Sequence, residues 1–196
     1  MKHPLLSEIL RGTVATLALT ALCGGLYPAF VWSVGQAAFP AKADGSVIRD
    51  ASGRVTGSSL LGRNFEGPRF FHPRPSAAGA NGYDVKASAG SNLGPTSQKL
   101  AETLRERIAT YRADNSLPPD TPVPPDAVAA SASGLDPHIS PANAALQARR
   151  VAAARSVSLE TMEKLIRDHT QGPDFGLFGE PRVNVVTLNL SLDVMK

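Results

Sequence analysis

Between Arg11 and Lys42 the chain carries no charged residue over thirty positions, Gly12 to Ala41. A helix of about 20 mostly apolar residues crosses the ~30 Å hydrocarbon core of a bilayer. The stretch Thr13 to Val34 supplies that length. Its eight Val, Leu and Phe residues (Val14, Leu17, Leu19, Leu22, Leu26, Phe30, Val31 and Val34) favour insertion by about 2 to 5 kcal/mol, less the smaller residues between them. Tyr27 and Trp32 lie near its downstream end, where amphipathic rings suit the headgroup level. A cleavable signal peptide has a shorter apolar core and a prompt small-x-small site, and neither is present. Leu22 before Cys23 is too large for a lipoprotein cleavage site, and a buried core helix rarely runs this long without a polar face. The reading is a tail over residues 1–11, one transmembrane helix over 12–36 and a soluble part over 37–196.

Small residues recur along that helix. Thr16, Thr20 and Gly24 stand at i, i+4 and i+8, with Ala21 and Gly25 one step round. They form a flat strip that a neighbouring membrane helix can approach closely. Pro28 is expected to kink or end the helix. Lys2 and Arg11 upstream nearly balance Lys42, Arg49 and Arg54 downstream, so charge does not orient the span. The single cysteine, Cys23, is inside the span, which leaves the rest of the chain without thiol or disulfide.

About 160 residues follow the span, enough for one domain with its own core. The sequence pI of about 9.2 overstates the basicity, because 20 Lys+Arg face 17 Asp+Glu. Arg149, Arg150 and Arg155 ring a helix at about 100° per residue and make no stripe, so no nucleic-acid surface is expected. The segment from Ala43 to Ser91, rich in Gly, Ser, Pro and aromatics, predicts short strands and ordered loops. Leu100, Leu104, Ile108 and Tyr111 predict a helix over Ser97 to Arg112. Five prolines between Leu117 and Pro125 require an extended strap. Ser140-Pro141 opens an Ala-rich helix running to Arg155, and Ser158 caps another reaching about His169. From Val186 to Val194, apolar and polar residues alternate strictly, which predicts a closing strand. Helices and strands interleave without a repeat, so a mixed α/β (α+β) extramembrane domain is expected after the single span.

The catalytic inventory is nearly empty. There is no P-loop, and the run Ser88 to Pro95 reads as a tight turn before it reads as an anion cradle. His72, His138 and His169 are scattered, with no HExxH and no cysteine beside them, so no metal site is expected. Ser131, Ser133, Asp136 and His138 lie close in sequence, but the nucleophile-elbow pattern is absent and Asp136-Pro137 reads as a turn. No catalytic residue is assigned. A membrane-anchored hydrolase using Ser131 or Ser133, and a stand-alone anchored binding protein, remain as alternatives.

Taken in order, several blocks resemble the KdpC family, the C subunits of bacterial Kdp-type potassium-transporting ATPases. They are Gly57-Ser58 through Leu61-Gly62, Phe71 to Ala77, Gly90 to Thr96, Ser133 to Pro141, Gln147 with Arg150-Val151-Ala152 and Arg155, and Gly179 to Val185 with Leu188-Asn189-Leu190. Ala89 and Ala132 stand where the family usually shows glycine. The resemblance implies an accessory subunit that assembles with a channel-like potassium-translocating subunit, a P-type ATP-hydrolysing subunit and a small single-span subunit. It implies ATP as the energy source, potassium as the transported ion, and a catalytic-chaperone role that raises ATP affinity. It also implies a bacterial inner-membrane protein with a cytoplasmic amino terminus and an extracytoplasmic domain. Gln147 matches the family's glutamine thought to engage nucleotide. A group outside the membrane cannot reach cytoplasmic ATP through ~30 Å of hydrocarbon, so on geometry Gln147 reads first as a helix-surface or loop-bracing amide. Carboxylates such as Asp136 and Glu180 would then face the side from which cations enter.

Overall fold

The computed structural model describes residues 4–50 and 52–195; Lys2 and Lys196, counted in the expected tail and domain, lie outside them. The chain forms two compact units, residues 1–56 and 57–196.

The first unit is mostly one long helix. It comprises α1 (Pro4–Ala21), a π turn (Leu22–Leu26) and α2 (Tyr27–Ala38). Leu5–Ala38 is long and apolar enough to cross a membrane, with a mean hydropathy of 1.7 over its most apolar 18 residues. Glu8 and Arg11, near its start, pair at 2.9 Å. Of the two outcomes expected at Pro28, a kink or an end, the helix does not end there. Proline lacks an N–H and its ring crowds the carbonyl four residues back. Here the widened turn just upstream, where the Tyr27 N–H bonds to the Leu22 carbonyl, interrupts the regular ladder before Pro28 would break it. Helix α2 stops at Phe39, and a short α3 (Pro40–Ala43) and the strands β1 (Val47–Arg49) and β2 (Val55–Ser58) follow.

The second unit begins with loops and then α4 (Gln98–Asp114), whose N-cap Ser97 accepts from the Leu100 N–H. Leu100, Leu104, Ile108 and Tyr111 are half-buried along it, as the periodicity predicts. After the proline strap come α5 (Pro125–Val128), β3 (His138–Ile139) and α6 (Pro141–Arg155). Ser140 caps α6 through the Asn143 N–H, and Asp126 holds Ser140 in turn through its N–H and hydroxyl. Helix α7 (Leu159–Asp168), capped by Ser158, packs on α6. The small buried face of α6 (Ala144, Ala148, Ala152) permits close packing. Strand β4 (Thr170–Gln171) and β3 flank β5 (Arg182–Asn184) in one antiparallel sheet, with His138 opposite Asn184 and Thr170 opposite Val183. Phe71, Val151, Met162, Val183, Leu188 and Leu192 form the centre of the core.

The chain ends in helix α8 (Val185–Val194), where the alternation predicts a strand. Asn184 starts the helix by accepting from the N–H groups of Val186 and Thr187. Val185, Leu188, Asn189 and Leu192 then face inward at helical spacing. A segment apolar on several sides satisfies both periods, and the cap decides between them.

Candidate functional site

The run Gly67–His72, a turn over residues 67–70 followed by irregular chain, has few backbone partners of its own, and side chains from α6 and α8 supply them. Asn189 on α8 pairs with Phe71 as a strand neighbour would: the Phe71 N–H donates to Asn189 Oδ1 at 2.9 Å and Asn189 Nδ2 donates to the Phe71 carbonyl at 2.9 Å. Gln147 on α6 treats His72 the same way, at 2.7 Å and 3.1 Å. Both amides are buried, Asn189 0% and Gln147 1% exposed, so these bonds form in a low-dielectric interior where an unmade one is costly.

Gln147 is saturated. Its Oε1 also accepts from Arg150 Nη2 at 2.8 Å, and its Nε2 also donates to Asn143 Oδ1 at 2.9 Å. Two acceptor sites and two donors are the full capacity of a side-chain amide. Asn143, Gln147 and Arg150 lie at i, i+4 and i+7 on one face of α6, which is why they form a chain. Arg150 reaches on to the carbonyls of Pro68 and Phe70 and to Asn115 Oδ1. Arg155 adds the Arg69 and Leu192 carbonyls and stacks on the Phe70 ring.

A cleft of about 690 Å³ opens beside this network, with His72, Arg74, Tyr83, Arg107, Tyr111 and Gln147 among its lining residues. Burial pulls the His72 pKa below its ordinary value, and the Arg150 charge adds to the effect against a partial offset from the Gly67 carbonyl. Burial likewise pushes the Tyr83 and Tyr111 phenols up, so both stay neutral and donate, Tyr111 to Asn143 Oδ1 and Tyr83 to the Arg74 carbonyl.

The Asp136 cluster is a structural knot. Its carboxylate takes Arg74 Nη1 at 3.0 Å and both the N–H and Nδ1 of His138. Burial alone would raise its pKa, but the bonds from His138 and the Arg74 charge prevail and lower it. Ser131 Oγ accepts from the Gly134 N–H and Ser133 Oγ from the Leu135 N–H, so both serines close turns. No hydrogen bond joins either to His138 among the described residues. Gly134 has φ +68°, and a Cβ there would meet the Ala89 carbonyl at 2.6 Å. Among the described residues no group of three His, Cys, Asp or Glu is placed to hold a metal.

In the first unit, Thr16, Thr20, Ala21, Gly24 and Gly25 are exposed on the long helix. The π turn falls on the two glycines, and a Cβ added at either would meet nothing within 4 Å. Sequence reasoning singled out Gln147, through the family resemblance, and this strip, and did not single out Asn143 or Asn189 as braces. Asn189 stood in a family block as an amide set among apolar residues, but period-2 counting placed it on the polar face.

Comparison with known proteins gives a consistent result. The KdpC family profile, described as the c chain of the K+-transporting ATPase, matches residues 9–194. A potassium-transporting ATPase KdpC subunit of Nitratidesulfovibrio vulgaris is 52% identical over 193 residues, covering 97% of this chain and 96% of its own. The KdpC subunit of Mycobacterium tuberculosis is 49% identical, covering 95% and 97%, and that of Caulobacter vibrioides 50%, covering 96% and 94%.

Proposed function

The chain belongs to the KdpC family, the c chain of the K+-transporting ATPase, and on that premise we propose that it acts by holding the transport complex together and raising the ATP affinity of its hydrolysing subunit. It is an accessory subunit and not the catalytic one. The proposed partners are the channel-like potassium-translocating subunit, the P-type ATP-hydrolysing subunit and the small single-span subunit. Residues 12–36 are proposed to span the bacterial inner membrane, with the tail 1–11 in the cytoplasm and residues 37–196 outside. The observation that carries this reading is an apolar helix, Leu5–Ala38, on a chain matched to a transport subunit along nearly its whole length.

Within this reading Gln147 is a brace. All four of its hydrogen-bonding positions serve the domain, and a nucleotide contact would have to break one of them. The effect on ATP use then travels through helix contacts, for which the strip Thr16, Thr20, Ala21, Gly24 and Gly25 is the proposed dock. The test is recovery of the other subunits with tagged chain in mild detergent, followed by the ATP concentration dependence of hydrolysis. Wild-type chain should recover the subunits and lower the ATP concentration for half-maximal hydrolysis relative to complex lacking it. Gly24→Leu should cut recovery several-fold, because the added side chain separates close-packed backbones, while Leu17→Ile on another face keeps it. Unchanged ATP dependence on adding the chain would sink the chaperone role, and full recovery with Gly24→Leu would place the strip against lipid.

A further inference from the structure

The long helix of the first unit ends in a hook. Phe39 stops α2 and starts α3: its N–H donates to the Gly35 carbonyl, and its own carbonyl accepts from the N–H groups of Lys42 and Ala43. Pro40 has no N–H to continue the α2 ladder, which is why the chain turns there. The hook lies back on α2, where Gly35 leaves room for Ala43; a Cβ at Gly35 would stand 3.7 Å from that of Ala43. Gln36 Nε2 ties the hook down by donating to Asp44 Oδ1 at 3.0 Å. Two large side chains are left on the outside of this turn. Phe39 is 59% exposed, and Lys42 Nζ stands 5.8 Å from its ring centroid. Lys42 is exposed and pairs with no carboxylate among the described residues.

We propose that Phe39 and Lys42 form a lipid clamp at the end of the span, the ring seated in the headgroup layer and the ammonium on a lipid phosphate; this rests on the reading of Leu5–Ala38 as a membrane helix. Length selects lipid as the occupant. The last charge before the apolar run is Arg11, and Phe39 comes 28 residues later. At ~1.5 Å per residue the two stand about 42 Å apart along the helix axis. A usual tilt of about 20° leaves about 40 Å across the membrane, against the ~40–45 Å of a bilayer with its headgroups. A helix with Arg11 in one headgroup layer therefore delivers Phe39 to the other. Seated deeper, Lys42 would enter hydrocarbon; seated further out, Arg11 and Glu8 would enter it from the opposite face. Trp32, about 10 Å deeper along the axis than Phe39, then falls at the border of the hydrocarbon, where its ring is favoured. The pair suits the layer it reaches, because an aromatic ring prefers the interface and a lysine ammonium is drawn to lipid phosphates. Asp44, the acidic neighbour in sequence, is engaged by Gln36. Lipid surrounds any span, so this surface needs no further partner.

The experiment reads depth from a single tryptophan. Trp32 is the only tryptophan in the sequence, so Trp32→Phe gives a dark background in the full chain, reconstituted into vesicles of phosphatidylcholine and phosphatidylglycerol. With Phe39→Trp added, a quencher carried on the lipid headgroup should reduce emission several-fold more than bromines deep in the acyl chains. Leu22→Trp, near the middle of the span, should show the reverse order. Adding Lys42→Glu to the Phe39→Trp chain should cut the headgroup quenching several-fold, since attraction to phosphate is exchanged for repulsion. Emission from Phe39→Trp that neither lipid quenches, or that the deep bromines quench best, would overturn the proposal, as would headgroup quenching that Lys42→Glu leaves unchanged. Absence of quenching by either lipid in Leu22→Trp would instead defeat the span on which it rests.

Discussion

Gln147 and Asn189 stand on different helices and do the same thing to consecutive residues, replacing an absent neighbouring strand with side-chain amides. Gln147→Leu should therefore lower stability by about 2 to 4 kcal/mol, because it strands the His72 N–H and carbonyl in the interior. Urea unfolding of the full chain in detergent measures this, and an unchanged midpoint would mean the amide is free for another partner. His72 adds a pH dependence. Its folded pKa lies below the ordinary 6.5, burial being the main cause. The unfolded chain thus takes up the proton first as pH falls. Stability from this group is complete above about pH 6.5 and is lost as pH drops through the folded value. The urea midpoint should fall between about pH 7 and 5, and His72→Phe should flatten that slope. An equal slope in the variant would remove His72 from the account.

At the scale of elements, what was legible in the sequence was what local chemistry decides. Ser97, Ser140 and Ser158 cap α4, α6 and α7 where their patterns begin, because a hydroxyl satisfies a free N–H within its own turn. The apolar helix was legible from its lack of charge, but its course past Pro28 was not, since the π turn depends on where the backbone ladder yields. Helix α8 was misread because a segment apolar on several sides satisfies the strand period as well as the helical one. The cap at Asn184 was the missed signal. The candidate site was half legible. Gln147 stood out through a family resemblance, while its bonds join residues up to 75 positions apart, a distance no local pattern reports.

For the whole molecule, the side of the membrane proposed for residues 37–196 decides what Gln147 is able to do. Lys2 and Arg11 against Lys42, Arg49 and Arg54 leave charge indecisive. The proposal that the domain lies outside fits an ordered domain without thiols, but its main support is the family resemblance. Protease added to intact spheroplasts should then remove the domain while leaving a membrane-bound amino-terminal fragment of about the length of the long helix. With the domain outside, Gln147→Leu should change ATP dependence only in proportion to the complex it fails to hold together. Complete protection in intact spheroplasts, with cleavage only after lysis, would reverse the topology. Gln147 would then share a compartment with ATP, and its saturated amide would have to open for any nucleotide it met.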